Sequence, residues 1–188
     1  KKKNKILNSR VRGTKLLAEF FSQTERKPTV IISASAVGFY GDRGAEILDE
    51  SSKRGNGFLA DVCVNWEDAV NVAAEAGIRV VNARFGIVLS SKGGALKKML
   101  LPFKMGLGGV IGSGEQYMSW VSIDDAVAMI QHVISDESIH GPVNFVTPNS
   151  ISNREFTKTL GSVLHRPTIF PLPAVVAQLV FGEMANEL

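Results

Sequence analysis

The stretch Val30-Ile-Ile-Ser-Ala-Ser-Ala-Val-Gly-Phe-Tyr-Gly-Asp42 decides the fold. It begins just after Pro28, in a β-branched run without charge, Thr29 to Ile32, which predicts a buried strand. It then enters a long loop rich in glycine and acidic residues, from Ser35 to about Gly57, and loops of that length in compact domains usually carry function. Ser33 and Ser35 stand where a parallel strand delivers ligand-facing residues. A small hydroxyl there can hydrogen-bond a ligand carbonyl or hydroxyl. The competing reading is a turn that caps its own backbone.

Working outward, Leu7, Val11, Thr14, Leu17, Ala18 and Phe21 recur at helical spacing and predict a helix over about residues 5–22. On the other side, Leu59, Val62, Cys63, Trp66, Ala69, Val70 and Ala73 predict a helix over about residues 59–76, ended by Gly77. Arg79 to Ala83 is the next buried strand. Helix and strand in alternation imply parallel strands joined by right-handed crossovers, hence a doubly wound α/β sheet with ligands at the carboxyl ends of its strands. Those ends are the stretches after Ile32 and after Ala83.

Further along, a helix from about Ala95 to Met105 leads into Gly106, Gly108, Gly109, Gly112 and Gly114. These glycines either let backbone approach a ligand closely or only form turns. Ser122-Ile-Asp-Asp125 and Ser152-Asn-Arg-Glu155 read as capping boxes, the second with Ile151 and Phe156 as a hydrophobic staple. Val143 to Val146 is a strand between them, and Pro171 to Leu188 begins a further helix.

Composition narrows the function classes. A chain of 188 residues with 45% hydrophobic and 21% charged residues has the balance of an ordinary globular domain. Its net charge of +3 draws on the terminal lysines Lys1, Lys2, Lys3 and Lys5, and no aromatics interleave with a basic stripe, so nucleic acid is not an expected partner. One cysteine, Cys63, excludes an internal disulfide and a multi-cysteine metal site, pointing to a reducing compartment, cytoplasm or organelle stroma or matrix. His132, His140 and His165 lack ligand-like spacing, so no metal is expected. No apolar stretch approaches the ~20 residues of a membrane span.

The segment Val30–Asp42 resembles the strand-and-serine motif of the extended short-chain dehydrogenase/reductases, the group that contains the nucleotide-sugar epimerases. Arg10-Val-Arg-Gly-Thr-Lys-Leu-Leu-Ala-Glu19 is similar to the helix before it, and Arg84-Phe-Gly-Ile-Val88 to the loop that approaches the nicotinamide. Gly112-Ser-Gly-Glu-Gln with Trp120-Val-Ser-Ile-Asp-Asp125, then Gly141-Pro-Val-Asn144 and Asn153-Arg-Glu-Phe156, continue the resemblance in order. Ser33–Asp42, Val62-Cys-Val-Asn-Trp-Glu67 and Gly106–Gly114 resemble one subgroup, the "epimerase family" proteins described as nucleoside-diphosphate-sugar epimerases or cell-division-inhibitor-like. The tail Pro171-Leu-Pro with Phe181-Gly-Glu-Met184 resembles the start of that subgroup's small C-terminal domain.

The resemblance implies NADP or NAD as cofactor and a small substrate, a nucleotide sugar among the candidates. It implies cofactor contacts from Ser33, Ala34, Arg84, Phe85, Gly86 and Ile87, and substrate contacts from Val37, Gly38, Tyr40, Gly112 and Trp120. Trp120 either stacks on a substrate ring or fills the sheet edge. Relatives of the fold often pair through their first two helices, so a homodimer is a further expectation. Residues 1–170 would then be a partial dinucleotide-binding domain, with substrate-side segments at about 84–122 and 143–170, and 171–188 the start of a second domain. The family's first strand and its Gly-x-x-Gly-x-x-Gly turn would precede Lys1. Since those amides hold the diphosphate, residues 1–188 alone are expected to bind cofactor weakly or not at all.

Family chemistry requires a Tyr as acid/base, with its pKa lowered by a Lys four residues later, and a Ser that orients the substrate oxygen. Ser35 matches the serine. At the place expected for the pair, Gly57-Phe-Leu-Ala-Asp61 has Gly for Tyr and Asp for Lys, and neither Tyr40 nor Tyr117 supplies it elsewhere. Arg10 also replaces a usual Asn. Asp61 and, as an alternative, Glu67 are the candidate replacement bases, with a solvated helix carboxylate as the competing reading for both. Cys63 reads as a buried structural thiol rather than a nucleophile. Two functions follow: an NAD(P)-dependent oxidoreductase or epimerase with non-standard acid/base residues, or a non-catalytic NADP(H)-binding regulator or scaffold.

Overall fold

The computed structural model describes residues 2–169, so the expected helix after Pro171 lies outside the described residues. Two compact units divide the chain. One runs to Phe85 and resumes over Asp125–Phe145. The other comprises Gly86–Asp124 and the described residues from Val146.

In the first unit, α1 (Lys2–Gln23) leads to β1 (Val30–Ala36), and a 3-10 turn (Val37–Tyr40) opens the long loop. Then come α2 (Phe58–Asp68), α3 (Asn71–Glu75) and β2 (Arg79–Phe85). After an excursion into the second unit, α5 (Ile123–Ser135) returns the chain to β6 (Gly141–Phe145). The three strands form one parallel sheet in the order β1-β2-β6.

Alternation along each strand sorts side chains between two helical layers. Val30, Ile32, Val81, Ala83, Phe85, Val143 and Phe145 pack with Met129, Ile130 and Val133 of α5. Ile31 and Val80 point the other way, into Ala18 and Phe21 of α1 and Val70 and Ala73 beside α3. This is the doubly wound α/β arrangement that the sequence implies.

Three expectations are corrected. The first strand continues to Ala36, so Ser33 and Ser35 lie within it rather than after it. The second likewise reaches Phe85. The helix expected over 59–76 is two helices. Ala69 and Val70 form the break, with their amides bonded to Asn65 and Glu67 carbonyls. No breaker residue marks that break, and Val70 is fully buried there against the α1 layer. Gly77, at φ +84°, does end α3.

The second unit contains β3 (Ile87–Leu89), α4 (Gly94–Lys104), β4 (Tyr117–Met118), β5 (Trp120–Ser122), β7 (Ile151–Ser152) and α6 (Asn153–Val163). β3 pairs with β5 in parallel, and β4 with β7 antiparallel. Its core is Met99, Phe103, Met118 and Phe156, with Ile151 beside them. The capping expectation at α6 holds: Ser152 Oγ accepts the Glu155 amide at 3.2 Å. Gly86 has to be glycine, because a Cβ there would stand 2.6 Å from the Ser119 carbonyl oxygen. Among the described residues no helix is long and apolar enough to cross a membrane.

Arg79 ties β2 to the end of α5. Its guanidinium donates to the carbonyls of Val133, Asp136 and Ile139 at 3.0, 3.3 and 2.8 Å, satisfying acceptors that a helix end leaves open. Arg79→Ala should lower stability by about 2–3 kcal/mol, and Arg79→Lys should recover part of it. Urea denaturation of the full-length protein measures both.

Candidate functional site

The sheet register brings three polar residues together at the carboxyl ends of the strands. Ser35 of β1 pairs with Arg84 of β2, and Arg84 pairs with Asn144 of β6. By alternation with Ile31 and Val80, Ser35 and Arg84 face the α1–α3 layer, four residues beyond the apolar contacts there. The layer between them holds Ser33 opposite Asn82, whose Oδ1 is buried and has no partner among the described residues.

Helix α2 lies over this face and presents a line of residues four apart. Cys63 lies against Ser35 and the Ala36 amide, and Glu67 accepts the Ser35 hydroxyl proton at 2.6 Å. Leu59 is the third member, placed so that a Cβ on Gly38 would touch it at 3.5 Å. Arg84 donates Nε to Glu67 Oε1 and a terminal nitrogen to Oε2, both at 2.9 Å, a bidentate pair. Its other terminal nitrogen donates to Tyr40 Oη at 3.0 Å, and Tyr40 donates to Asn144 Oδ1 at 2.7 Å. The guanidinium also stacks 3.5 Å from the Phe39 ring centroid. Ser35, Tyr40 and Arg84 are each only 3% exposed.

The long loop is latched onto this layer. Glu50 accepts the Asn144 amide at 2.8 Å, on the outer edge of the sheet. The Gly55 amide bonds the Phe39 carbonyl at 2.9 Å, and a Cβ on Gly55 would run into the Tyr40 carbonyl. Burial works against the charge of Arg84, but its bonds to Glu67 and Tyr40 outweigh it and hold its pKa above the ordinary value. Burial pushes the Cys63 thiol up, with the Glu67 charge adding to the rise.

The sequence-derived residues do not all meet. Ser33 is buried on the Ser35 face, while Ala34 between them is exposed on the other. Arg84 spends its side chain on Glu67 and Tyr40, and Phe85 packs 4.9 Å from Phe145, so their side chains face the protein. Tyr40 is likewise internal. Val37 and Gly38 are half-buried in the 3-10 turn. In the second unit, Gly86 and Ile87 line up along β5, and Gly112 sits in an exposed turn at φ +56°. Trp120 is half-buried, and its indole N–H has no partner among the described residues.

Asp61 does not join Ser35. It pairs with Arg54 at 2.6 Å on the helix surface, where the two side chains are 57% and 50% exposed. The helical period explains this: Asp61 is two residues from Cys63, on another face. Glu67, read as surface-facing, is instead 12% exposed by side chain. The line facing Ser35 therefore carries Leu59, Cys63 and Glu67, not Gly57 and Asp61; it too lacks a Tyr and a Lys. Arg10, in place of the usual Asn, lies 5.3 Å over the Trp66 ring, and Trp66 donates to Thr14 at 2.8 Å, so both serve α1–α2 packing.

The chain does hold glycines at Gly-x-x-Gly-x-x-Gly spacing, Gly38, Gly41 and Gly44. They lie in the 3-10 turn and loop after β1, and the next helix starts only at Phe58, so they do not make the strand–turn–helix of a diphosphate cradle. Among the described residues no group of three His, Cys, Asp or Glu side chains is placed to hold a metal.

Residues 1–145 match the profile of the NAD dependent epimerase/dehydratase family. "Epimerase family protein Mb2239" of Mycobacterium bovis is 42% identical over 98% of this chain and 61% of its own length. The human epimerase family protein SDR39U1, whose crystal structure was solved with NADPH, superimposes with a TM-score of 0.90 at 37% identity, over 97% of this chain and 62% of that one. A nucleoside-diphosphate sugar epimerase of Corynebacterium glutamicum gives a TM-score of 0.76 at 43% identity, over 94% of this chain and 39% of that one. The chain thus spans about three-fifths of the length of the curated relatives it matches.

Arg84→Met alone should cost about 3–5 kcal/mol, because it strands the Glu67 carboxylate, whereas the E67M/R84M double variant should return close to wild-type stability. A double-mutant cycle by denaturation measures this. The raised thiol pKa and burial of Cys63 predict that Ellman's reagent labels the native protein at neutral pH far more slowly than the denatured one.

Proposed function

The chain belongs to the NAD-dependent epimerase/dehydratase family, and on that premise we propose that the full-length protein is an NADP(H)- or NAD(H)-dependent oxidoreductase or epimerase. Its substrate is a nucleotide sugar or another small hydroxylated molecule, and it works without the Tyr–Lys relay. The observation that carries this reading is the polar layer Ser35–Arg84–Asn144 at the carboxyl ends of parallel strands, where ligands of such sheets bind. The family serine is present and held in one orientation by Glu67.

The cofactor is supported by the open strand end at Ala34, whose methyl group is exposed where neighbouring positions are covered by α5. Ser33, Ala34 and Phe85 at these strand ends are the residues that would hold the nicotinamide end of the cofactor. When bound, the cofactor supplies or takes hydride. The protein's own residues orient the substrate oxygen through Ser35 and hold the Ser35 strand end rigid through Glu67, Arg84 and Tyr40. NADPH in the human relative and the sugar nucleotide named for the Corynebacterium relative extend to this chain as part of the proposal. So does a reducing compartment.

A second reading, a non-catalytic NADP(H)-binding regulator or scaffold, is favoured by one observation: α2 meets Ser35 with Leu59, Cys63 and a paired Glu67, none of which is a Tyr or Lys. Turnover separates the two. Full-length protein should bind NADPH and interconvert or oxidise a nucleoside-diphosphate sugar, and Ser35→Ala should lower turnover about 100-fold. If NADPH binds while a panel of nucleoside-diphosphate sugars and their keto forms gives no turnover, the second reading replaces the first.

A further inference from the structure

A serine hydroxyl has one proton to donate and lone pairs with which to accept. In this chain the proton of Ser35 goes to Glu67 Oε1 at 2.6 Å. The acceptor is a carboxylate held on both oxygens by Arg84, and the two side chains of that pair are 12% and 4% exposed. Charge-assisted bonds of this kind are roughly twice as strong as neutral ones. Turning the proton away from Glu67 would remove a donor from a buried carboxylate, a loss that a neutral carbonyl acceptor does not make good. The neighbouring Cys63 sulfur lies against Ser35 but is a weak acceptor, a poor competitor for that proton beside an ionised carboxylate.

We propose that Ser35 meets its ligand as a hydrogen-bond acceptor only, so that the group recognised there is a hydroxyl and not a carbonyl oxygen. Glu67 is the positioning residue that sets this polarity, and Arg84 keeps Glu67 in place. This rests on the reading that the full-length protein takes a small hydroxylated substrate at Ser35, and it adds that the alcohol form, not the ketone, gains from this serine. Removing Glu67 and Arg84 together frees the Ser35 proton without leaving either charge buried alone.

The test uses full-length protein and calorimetry on two dead-end complexes: UDP-glucose with NADPH bound, and UDP-4-keto-6-deoxyglucose with NADP+ bound. Each variant is compared with wild type for the same ligand. Ser35→Ala, which leaves the Glu67–Arg84 pair whole, should weaken the alcohol about tenfold and leave the ketone within about twofold. E67M/R84M should tighten the ketone several-fold, because Ser35 regains a free donor. Equal or greater weakening of the ketone by Ser35→Ala overturns the acceptor assignment while leaving the proposed function standing. Failure of both sugars to bind wild-type protein that still binds NADPH removes the proposed function itself, and this inference with it.

Discussion

Arg84 leaves the end of a central parallel strand with its guanidinium under a helix, and Glu67 meets it there with both carboxylate oxygens. Neither charge is tolerable alone at that depth. Each therefore dictates the position of what surrounds it: α2 has to turn its Leu59–Cys63–Glu67 line toward the sheet, and Ser35 has to donate inward. Tyr40 accepts from the other terminal nitrogen of the guanidinium, and Asn144 Oδ1 in turn accepts from the Tyr40 hydroxyl. A buried pair of this kind is a poor source of net stability compared with apolar packing. Its effect is to fix one geometry, since few other arrangements satisfy all of the donors and acceptors at once.

Much of the fold can be read from residue pattern. The charge-free run ending in Ile32, the helix face carrying Ala18 and Phe21, and Gly77 as a helix stop place the first unit's layers because burial has a period that sequence displays; Leu17, expected on that face, is instead 58% exposed. Strand ends were less legible. Ser33, Ser35 and Arg84 are polar, so a reading by hydrophobicity stops the strands at Ile32 and Ala83, two or more residues short of where pairing ends. The break between α2 and α3 was invisible because Ala69 and Val70 carry no turn signal.

The site was legible by residue type and misread by helical face. Ser35 and Arg84 stand out beside the family resemblance, yet of the two candidate bases Asp61 lies on another face and only Glu67 meets Ser35. The six residues from Asp61 to Glu67 are a net rotation of about 240° on a helix, enough to exchange a solvent ion pair with Arg54 for a bond to the buried serine. Glu67 was in view as an alternative, but only the register of β1 against β2 shows that it has a cation to meet. Asn144 and Glu50 could not have been found from sequence, because their roles depend on a third strand and a loop brought together by the fold.

If the Ser35 proton points to Glu67 within this network, locating that proton shows it most directly. Neutron diffraction from crystals of the full-length protein, exchanged into heavy water with NADPH bound, would place the hydroxyl deuterium. The expected result is deuterium on Ser35 Oγ directed at Glu67 Oε1, with Arg84 bidentate on Glu67 and Asp61 remaining at the surface with Arg54. Deuterium directed at a ligand oxygen, with Glu67 turned away from Ser35, would contradict it.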